Sequence, residues 1–131
     1  MLSYLSLIDV AHVEQAIAEM ARVLKCGGTL LIANLTSFSS AAAPGWVYGN
    51  TGKAIHCHPV DNYLDERAEW FERDGIRIKN WHRPLSTYLR LLLTQGLRLT
   101  FFDEPSAIGD DERATRVRRR PWAMVMEWRK D

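Results

Sequence analysis

The sequence predicts an α/β fold in a single domain, and three observations support this. An apolar run at residues 2–8 precedes a helix-type repeat, and a Gly-Gly pair then leads into a second apolar run at residues 29–34. A strand, helix, strand series of this kind forms a right-handed parallel crossover in nearly every case. The length of 131 residues leaves room for one hydrophobic core.

The composition excludes several classes of protein. The 17 Lys and Arg against 16 Asp and Glu give a net charge of +1, which argues against a nucleic-acid binder. No apolar run reaches the roughly 20 residues that span a bilayer, and residues 1–10 lack the basic lead of a signal peptide. Cys26 and Cys57 cannot form a disulfide scaffold. We therefore predict a cytoplasmic protein with reduced thiols and with no membrane or nucleic-acid partner.

The first helix is predicted to begin at Asp9, a favoured N-cap residue type, and to end at Gly27-Gly28. Its apolar stripe consists of Val13, Ile17, Met20 and Leu24. Residues 29–34 are almost continuously apolar, which is typical of a strand that is covered on both faces.

The middle of the chain has no clear period. From residue 36 to 62, Ser, Ala and Gly dominate, and a stretch of this length is commonly a lid or a binding loop. Residues 62–74 fit either a short helix or a strand around residues 68–71. Residues 76–81 alternate apolar and polar, which predicts a short strand.

The C-terminal part predicts one further helix and two strands. Ser86 is the predicted N-cap of the helix, and Gly96 ends it with Leu97 packing back. Residues 97–102 and 121–128 read as strands, and the second is apolar on both faces and therefore central.

Between these strands, three acidic residues are followed by arginines up to Arg120. The run could be an anionic-ligand or RNA patch, or a solvated loop whose charges compensate each other. The near-zero net charge favours the loop.

Two segments resemble class I S-adenosylmethionine-dependent methyltransferases. Residues 19–30, EMARVLKCGGTL, resemble the family's E-x-x-R-V-L-K-P-G-G-x-L stretch, with Cys26 in place of the proline. Residues 82–89, HRPLSTYL, continue through QGL at 95–97 to Glu104-Pro105. This second pattern is similar to the one that precedes the sixth strand of small-molecule members.

The resemblance implies a partial Rossmann-like methyltransferase fold containing the family's strands four to seven, with the last strand antiparallel between the fifth and sixth. Residues 1–131 would then be the C-terminal part of a methyltransferase domain, and residues 36–84 its irregular substrate-side segment. The implied function is methyl transfer from S-adenosylmethionine to a small-molecule acceptor in the intact protein.

The family's glycine-rich cofactor loop has no counterpart here, because neither G-x-G-x-G nor G-x-G-x-x-G occurs. We expect the chain to begin near the end of the fourth strand, without the N-terminal cofactor-binding motif. Alone, it should be inactive and should bind S-adenosylmethionine weakly or not at all.

The carboxyl edge of an α/β sheet is where ligands bind, and this edge supplies the candidate residues. The cofactor candidates are placed at the carboxyl end of the first strand: Ser3, Tyr4 and Leu5. The substrate candidates are Asn34, Thr36, Trp46, Tyr48, Trp81, His82 and Arg83.

Two of these candidates have more than one interpretation. His82 could act as a base and Arg83 as a clamp for an anion, since a guanidinium holds a carboxylate with two bonds. Alternatively, both are structural and cap the second helix or pair with Glu66, Glu69 or Asp74. The aromatic residues of the middle segment could line the acceptor site or form a minor core.

No metal site is predicted, because His56, Cys57 and His58 do not converge in extended chain and lack further ligands. Residues 2–8 would form an exposed apolar strand edge, which predicts a homodimer through that edge. The alternative function is a non-enzymatic interaction module that acts through its aromatic middle segment.

Overall fold

The computed structural model describes residues 1–42, 46–48, 55–73 and 75–131. The chain opens with strand β1 (Leu2–Tyr4), helix α1 (Val13–Val23) and strand β2 (Thr29–Leu35). The two strands are parallel, with Leu2 opposite Leu31 and Tyr4 opposite Ala33. The predicted crossover is therefore confirmed.

The segment between β1 and α1 differs from its prediction. The strand ends at Tyr4 rather than at residue 8, because Leu5 has a φ of 48° and turns the chain out of the sheet. Helix α1 begins at Val13 with His12 as its N-cap, so the N-cap predicted at Asp9 is wrong. The Asp9 N–H instead donates to the Ser6 carbonyl in a turn, 3.0 Å away.

A four-stranded sheet forms the centre of the fold, in the order β1, β2, β8, β7. Strand β7 (Leu97–Asp103) and β2 both pair antiparallel with strand β8 (Ala123–Lys130). The last strand is therefore central and antiparallel, as the resemblance implied.

Helix α3 (Leu85–Thr94) precedes β7. Its N-cap is Pro84, so the prediction that Ser86 caps it is wrong by two residues. The prediction at the other end is confirmed, because Gly96 has a φ of 72° and Leu97 is buried.

Helices α1 and α3 both pack on one face of the sheet. The core on this face joins side chains from both helices to the inward residues of the central strands, among them Ile17, Tyr88, Leu92, Leu30, Ile32, Met124, Met126 and Trp128.

The opposite face is uncovered in the part of the chain that the structure describes. It presents the exposed side chains of Leu2, Tyr4, Leu31 and Phe101 around the half-buried Ala33 and Val125, with the half-buried Glu127 between Leu31 and Phe101. We call these seven residues the open face. The prediction that residues 29–34 are covered on both faces is therefore wrong here, since β2 alternates between buried and more exposed residues.

The middle segment contains more regular structure than its sequence predicts. Helix α2 (Ser37–Ala41) follows β2, and the short strands β3 (Val47–Tyr48) and β4 (Ile55–Cys57) pair with each other. Strands β5 (Arg67–Arg73) and β6 (Ile76–His82) form an antiparallel hairpin. Of the two interpretations of residues 62–74, the strand is the one observed.

The charged run contains helix α4 (Glu112–Val117), which the sequence interpretation did not predict. The Asp111 carboxylate caps it by accepting the Ala114 N–H at 2.6 Å, and Arg116 pairs with Glu112. None of the described helices is long and apolar enough to cross a membrane.

Candidate functional site

A cavity of about 740 Å³ lies at the carboxyl ends of β1 and β2. Leu5 and Leu35 mark the two strand ends in its wall. Other described residues of the wall come from α2, from the β5–β6 hairpin and from the segment entering β8: Ser39, Ser40, Trp70, Phe71, Ile78, Asn80, Trp81, His82, Arg120 and Trp122. Such a concave, largely apolar place at this edge of an α/β sheet is where a ligand is expected.

The three residues predicted for the cofactor are placed differently from one another. Leu5 lines the cavity and holds a positive φ that non-glycine residues seldom adopt, which is typical of functional sites. Tyr4 is 67% exposed on the open face. Ser3 is buried, and its hydroxyl shares a hydrogen bond of 2.8 Å with the Ser6 hydroxyl.

His82 is buried in the cavity wall between two hydrogen-bond partners. Its Nε2–H donates to the Tyr63 carbonyl at 2.8 Å, and its Nδ1 lies 2.8 Å from the Ser40 hydroxyl. A carbonyl oxygen can only accept, so the neutral ring carries its proton on Nε2 and accepts from Ser40 at Nδ1. Burial is the main cause that lowers the pKa of His82, which favours this neutral form.

Arg83 is 2% exposed, and its guanidinium donates hydrogen bonds to main-chain carbonyls. Its Nη1 donates to the Leu7 carbonyl at 3.1 Å, and its Nη2 donates to the carbonyls of Val10 and Ala11 at 2.7 and 3.0 Å. Its Nε lies 3.9 Å from the Glu66 carboxylate. The anion clamp predicted for Arg83 does not fit these surroundings, because the guanidinium is buried and already shared among four acceptors.

Asn34 and Thr36 do not reach the cavity, although the sequence places both at the substrate site. The Asn34 side chain lies buried on the helix-covered face, next to the Tyr88 hydroxyl. Thr36 caps α2, accepting the Ser39 N–H and donating to the Pro121 carbonyl at 2.6 Å. Its role is structural, because its hydroxyl is buried and bonded on both sides.

The predicted aromatic site residues also differ in whether they line the cavity. Trp81 lines the cavity. Trp46 supports residues that line it, with its ring edge-on to His58 at 4.8 Å and Arg120 above it at 5.7 Å. The Tyr48 side chain lies outside the described part, as does Asp74, one of the partners considered for His82 and Arg83.

Sequence reasoning missed Ser40, Asn80 and Arg120 as wall residues. Ser40 and Asn80 carry no motif, and the near-zero net charge favours a solvated loop for the charged run that contains Arg120. His58 carries a partial signal, because its residue type suits a ligand site, but its spacing from Cys57 and His56 argues against a metal site and predicts no place for it in this wall. Among the residues with described positions, no group of three or more His, Cys, Asp or Glu side chains converges as a metal site would require.

No protein-family model and no curated protein matches the sequence. Solved structures do match. A protein assigned as an S-adenosylmethionine-dependent methyltransferase from Listeria monocytogenes is 25% identical, with a TM-score of 0.89 over 99% of this chain and 60% of that one. One from Mesorhizobium loti is 23% identical, with a TM-score of 0.80 over 98% and 60%.

A more distant match is the glycopeptide N-methyltransferase MtfA complexed with S-adenosyl-L-homocysteine. It is 12% identical, with a TM-score of 0.55 over 99% of this chain and 53% of that one. The chain thus spans about three-fifths of the length of the first two structures.

Proposed function

We propose that this chain, which has the fold of a partial S-adenosylmethionine-dependent methyltransferase domain, forms the acceptor-binding part of such an enzyme. In the intact protein it would transfer a methyl group to a small molecule held in the cavity. The observation that carries this proposal is the position of the cavity at the carboxyl ends of β1 and β2. Residues 36–84 would be its substrate-side segment within a domain comprising residues 1–131.

The cofactor fits this chain only in part. Tyr4 and Leu5, at the end of β1, could form one wall of its site, whereas the hydroxyl of Ser3 is already taken by Ser6. S-adenosylmethionine supplies a sulfonium-bound methyl group for direct displacement. This chain then positions the acceptor, and positioning accounts for most of the rate acceleration of such a transfer.

Ser40 and His82 would take the acceptor's proton if the acceptor must lose one. The Ser40 hydroxyl donates to Nδ1 of the neutral ring, and its lone pairs remain able to accept a proton from a bound acceptor. A proton passed to Ser40 can move on to His82, whose orientation the Tyr63 carbonyl holds.

Arg83 acts indirectly in this proposal, as a positioning residue. Its bonds to the carbonyls of residues 7, 10 and 11 hold the loop after β1, and the Trp81 N–H donates to the Ile8 carbonyl in the same loop at 2.6 Å. This loop carries Leu5 and Asp9 into the cavity wall.

The proposal is tested with the chain itself in two measurements. Titration calorimetry should show weak binding of S-adenosylmethionine or none, and tritiated S-adenosylmethionine should yield no methylated product. In a fragment screen by ¹H–¹⁵N NMR, small aromatic molecules should shift the resonances of Leu5, Ser40 and Trp81. Micromolar cofactor binding would contradict the first expectation, and fragments that shift only other regions would contradict the second.

A second candidate is an interaction module without enzymatic activity. The exposed Trp70 and Phe71 of the β5–β6 hairpin favour it, with Arg77 stacked 4.4 Å from the Trp70 ring centre. If fragments avoid the cavity while Trp70→Ala abolishes capture of one defined protein partner, this candidate is the better one.

We also propose a homodimer and a cytoplasmic location. The outer edge of β1 has no strand beside it in the described part, and the open face adjoins that edge. The location is supported by Cys26 and Cys57, which are both exposed and unpaired.

A further inference from the structure

Three polar atoms of the cavity wall are buried and have no hydrogen-bond partner in the part of the chain that the structure describes. They are Arg120 Nε, His58 Nδ1 and Asn80 Oδ1. Buried polar groups in proteins are almost always satisfied, so an unpaired one needs a partner such as a water molecule or a ligand. Three such atoms in one wall make this part of the cavity polar.

Arg120 is the charged member of this set. Its Nη1 donates to the Ser39 hydroxyl, and its guanidinium lies over the ring of Trp46. No carboxylate among the described residues lies within ion-pair distance of it. An arginine held on an aromatic ring with its charge unmatched is suited to bind a carboxylate, because its planar donors match two oxygens at once.

His58 lies close enough to Arg120 to respond to its charge. Burial, and secondly the Arg120 charge, lower the pKa of His58, so its ring is neutral near pH 7. A neutral imidazole can donate one hydrogen bond without adding a second charge. His58 and Arg120 both contact the Trp46 ring, so both lie in the same wall of the cavity.

Two acidic residues also line the cavity, and neither lies within ion-pair distance of Arg120. Glu69 is paired with Arg67, whose Nε lies 2.7 Å from it. Asp9 belongs to the loop after β1, and burial raises its pKa. The rest of the wall is largely apolar and aromatic, with Trp70, Phe71 and Trp81 among its members.

We propose that Arg120, with His58 beside it, binds a carboxylate of the methyl acceptor. The acceptor is then a carboxylic acid whose remaining part is apolar and about the size of an aromatic ring. This inference rests on the proposed function, because it takes the cavity as the acceptor site. It adds the chemical class of the acceptor and the residue that selects it.

The experiment compares two probes of nearly the same shape, the charged 1-naphthoate and the neutral 1-naphthamide. Each is titrated into the full chain and followed by ¹H–¹⁵N NMR. We expect naphthoate to bind at least about tenfold more tightly, with shifts at Arg120 and Trp81, and the preference to fall in 0.5 M salt.

Variants of Arg120 test whether this residue causes the preference for naphthoate over naphthamide. Arg120→Gln should remove it and Arg120→Lys should retain part of it, because lysine keeps the charge but not the fork. Arg98→Gln is the matched control, since Arg98 is exposed and pairs with Asp131. Because the wild-type preference is measured first, a variant that fails to fold does not remove the test.

The outcomes separate this inference from the proposed function. Equal binding of both probes in the cavity, or a preference unchanged in Arg120→Gln, overturns the carboxylate assignment and leaves the acceptor cavity in place. Binding of neither probe overturns the carboxylate assignment, and the fragment screen then decides the proposed function.

Discussion

Arg83 is a buried charge whose partners are main-chain carbonyls. Removing part of such a set is costly, because the remaining groups stay buried without their bonds. The sequence offered two roles for it, and the observed contact with Glu66 corresponds to the structural one.

The first prediction concerns this residue. Arg83→Lys should lower the free energy of unfolding by about 2–4 kcal/mol, because an ammonium group cannot reach all three carbonyls in the geometry of the guanidinium. Urea unfolding followed by tryptophan fluorescence measures this. Arg98→Lys, at an exposed pair, should change the midpoint little. Equal midpoints for the two variants would contradict the prediction.

The second prediction concerns pH. The pKa of His82 is lowered in the folded chain from its usual value near 6.5, chiefly by burial and also by Arg67, while the hydrogen bond to the Tyr63 carbonyl and the charges of Glu69 and Glu66 oppose this. Below pH 6.5 the unfolded chain therefore binds protons that the folded chain resists. Stability is then lost as the pH falls from 6.5, by at most about 1.4 kcal/mol per pH unit for this group.

Unfolding in urea at pH 7.5 and 5.5 checks this, with His82→Gln as the comparison. The glutamine variant should be less stable at pH 7.5 but should lose less between the two pH values. The pKa of His58 is also lowered, so His58→Gln should remove its own share of the loss. The same pH dependence in wild type and in His82→Gln would show that His82 does not carry it.

At the scale of elements, the turn between α1 and β2 depends on two glycines for different reasons. Gly27 has a φ of 72° and open space around a would-be side chain. Gly28 has no such φ, but a Cβ there would lie 2.6 Å from the Lys25 carbonyl oxygen. The turn therefore needs a left-handed residue first and a residue without a side chain second.

The third prediction uses the same substitution at both positions. Gly28→Asn should lower the free energy of unfolding by about 1–3 kcal/mol, because the main chain must shift to admit the Cβ. Gly27→Asn should cost less, since asparagine tolerates positive φ. Thermal unfolding of the two variants measures the difference, and the reverse order would refute this account of the turn.

At the scale of the whole molecule, the open face and the free edge of β1 are what distinguish this chain from a fully covered α/β sheet. Leu2 and Tyr4 are 65% and 67% exposed beside the edge, and Leu31 lies next to them. Apolar side chains beside a strand edge that has no neighbouring strand in the described part of the chain favour association with another copy.

The fourth prediction is that the chain is a dimer at tens of micromolar. Sedimentation velocity should give a mass near twice 15.0 kDa. The double variant Tyr4→Lys/Leu31→Lys should shift the chain to monomer, because it replaces two of the large side chains beside the β1 edge with charged ones. Leu64→Lys, at a loop residue that is 77% exposed, should leave the dimer intact. A monomeric wild-type chain would contradict the prediction.

The candidate site shows which of its residues can be predicted from sequence patterns. Trp81, His82 and Leu5 were predicted and do line the cavity, because strand ends and a recognisable motif mark their positions. Arg120 and Ser40 were not predicted, since their roles come from neighbours far away in the chain. Arg120 reaches Ser39 across 81 residues, and Ser40 reaches His82 across 42.

The sequence by itself determined the parallel crossover, the central position of the last strand and the resemblance to methyltransferases, because periodicity and local motifs encode each of these. It did not determine which face of the sheet is covered, since an apolar strand reads the same whether one helix layer or two lie against it. Nor did it separate buried from available polar groups. Arg83 and Arg120 are the same residue type, and only the tertiary structure gives one three main-chain carbonyls and leaves the other facing a cavity.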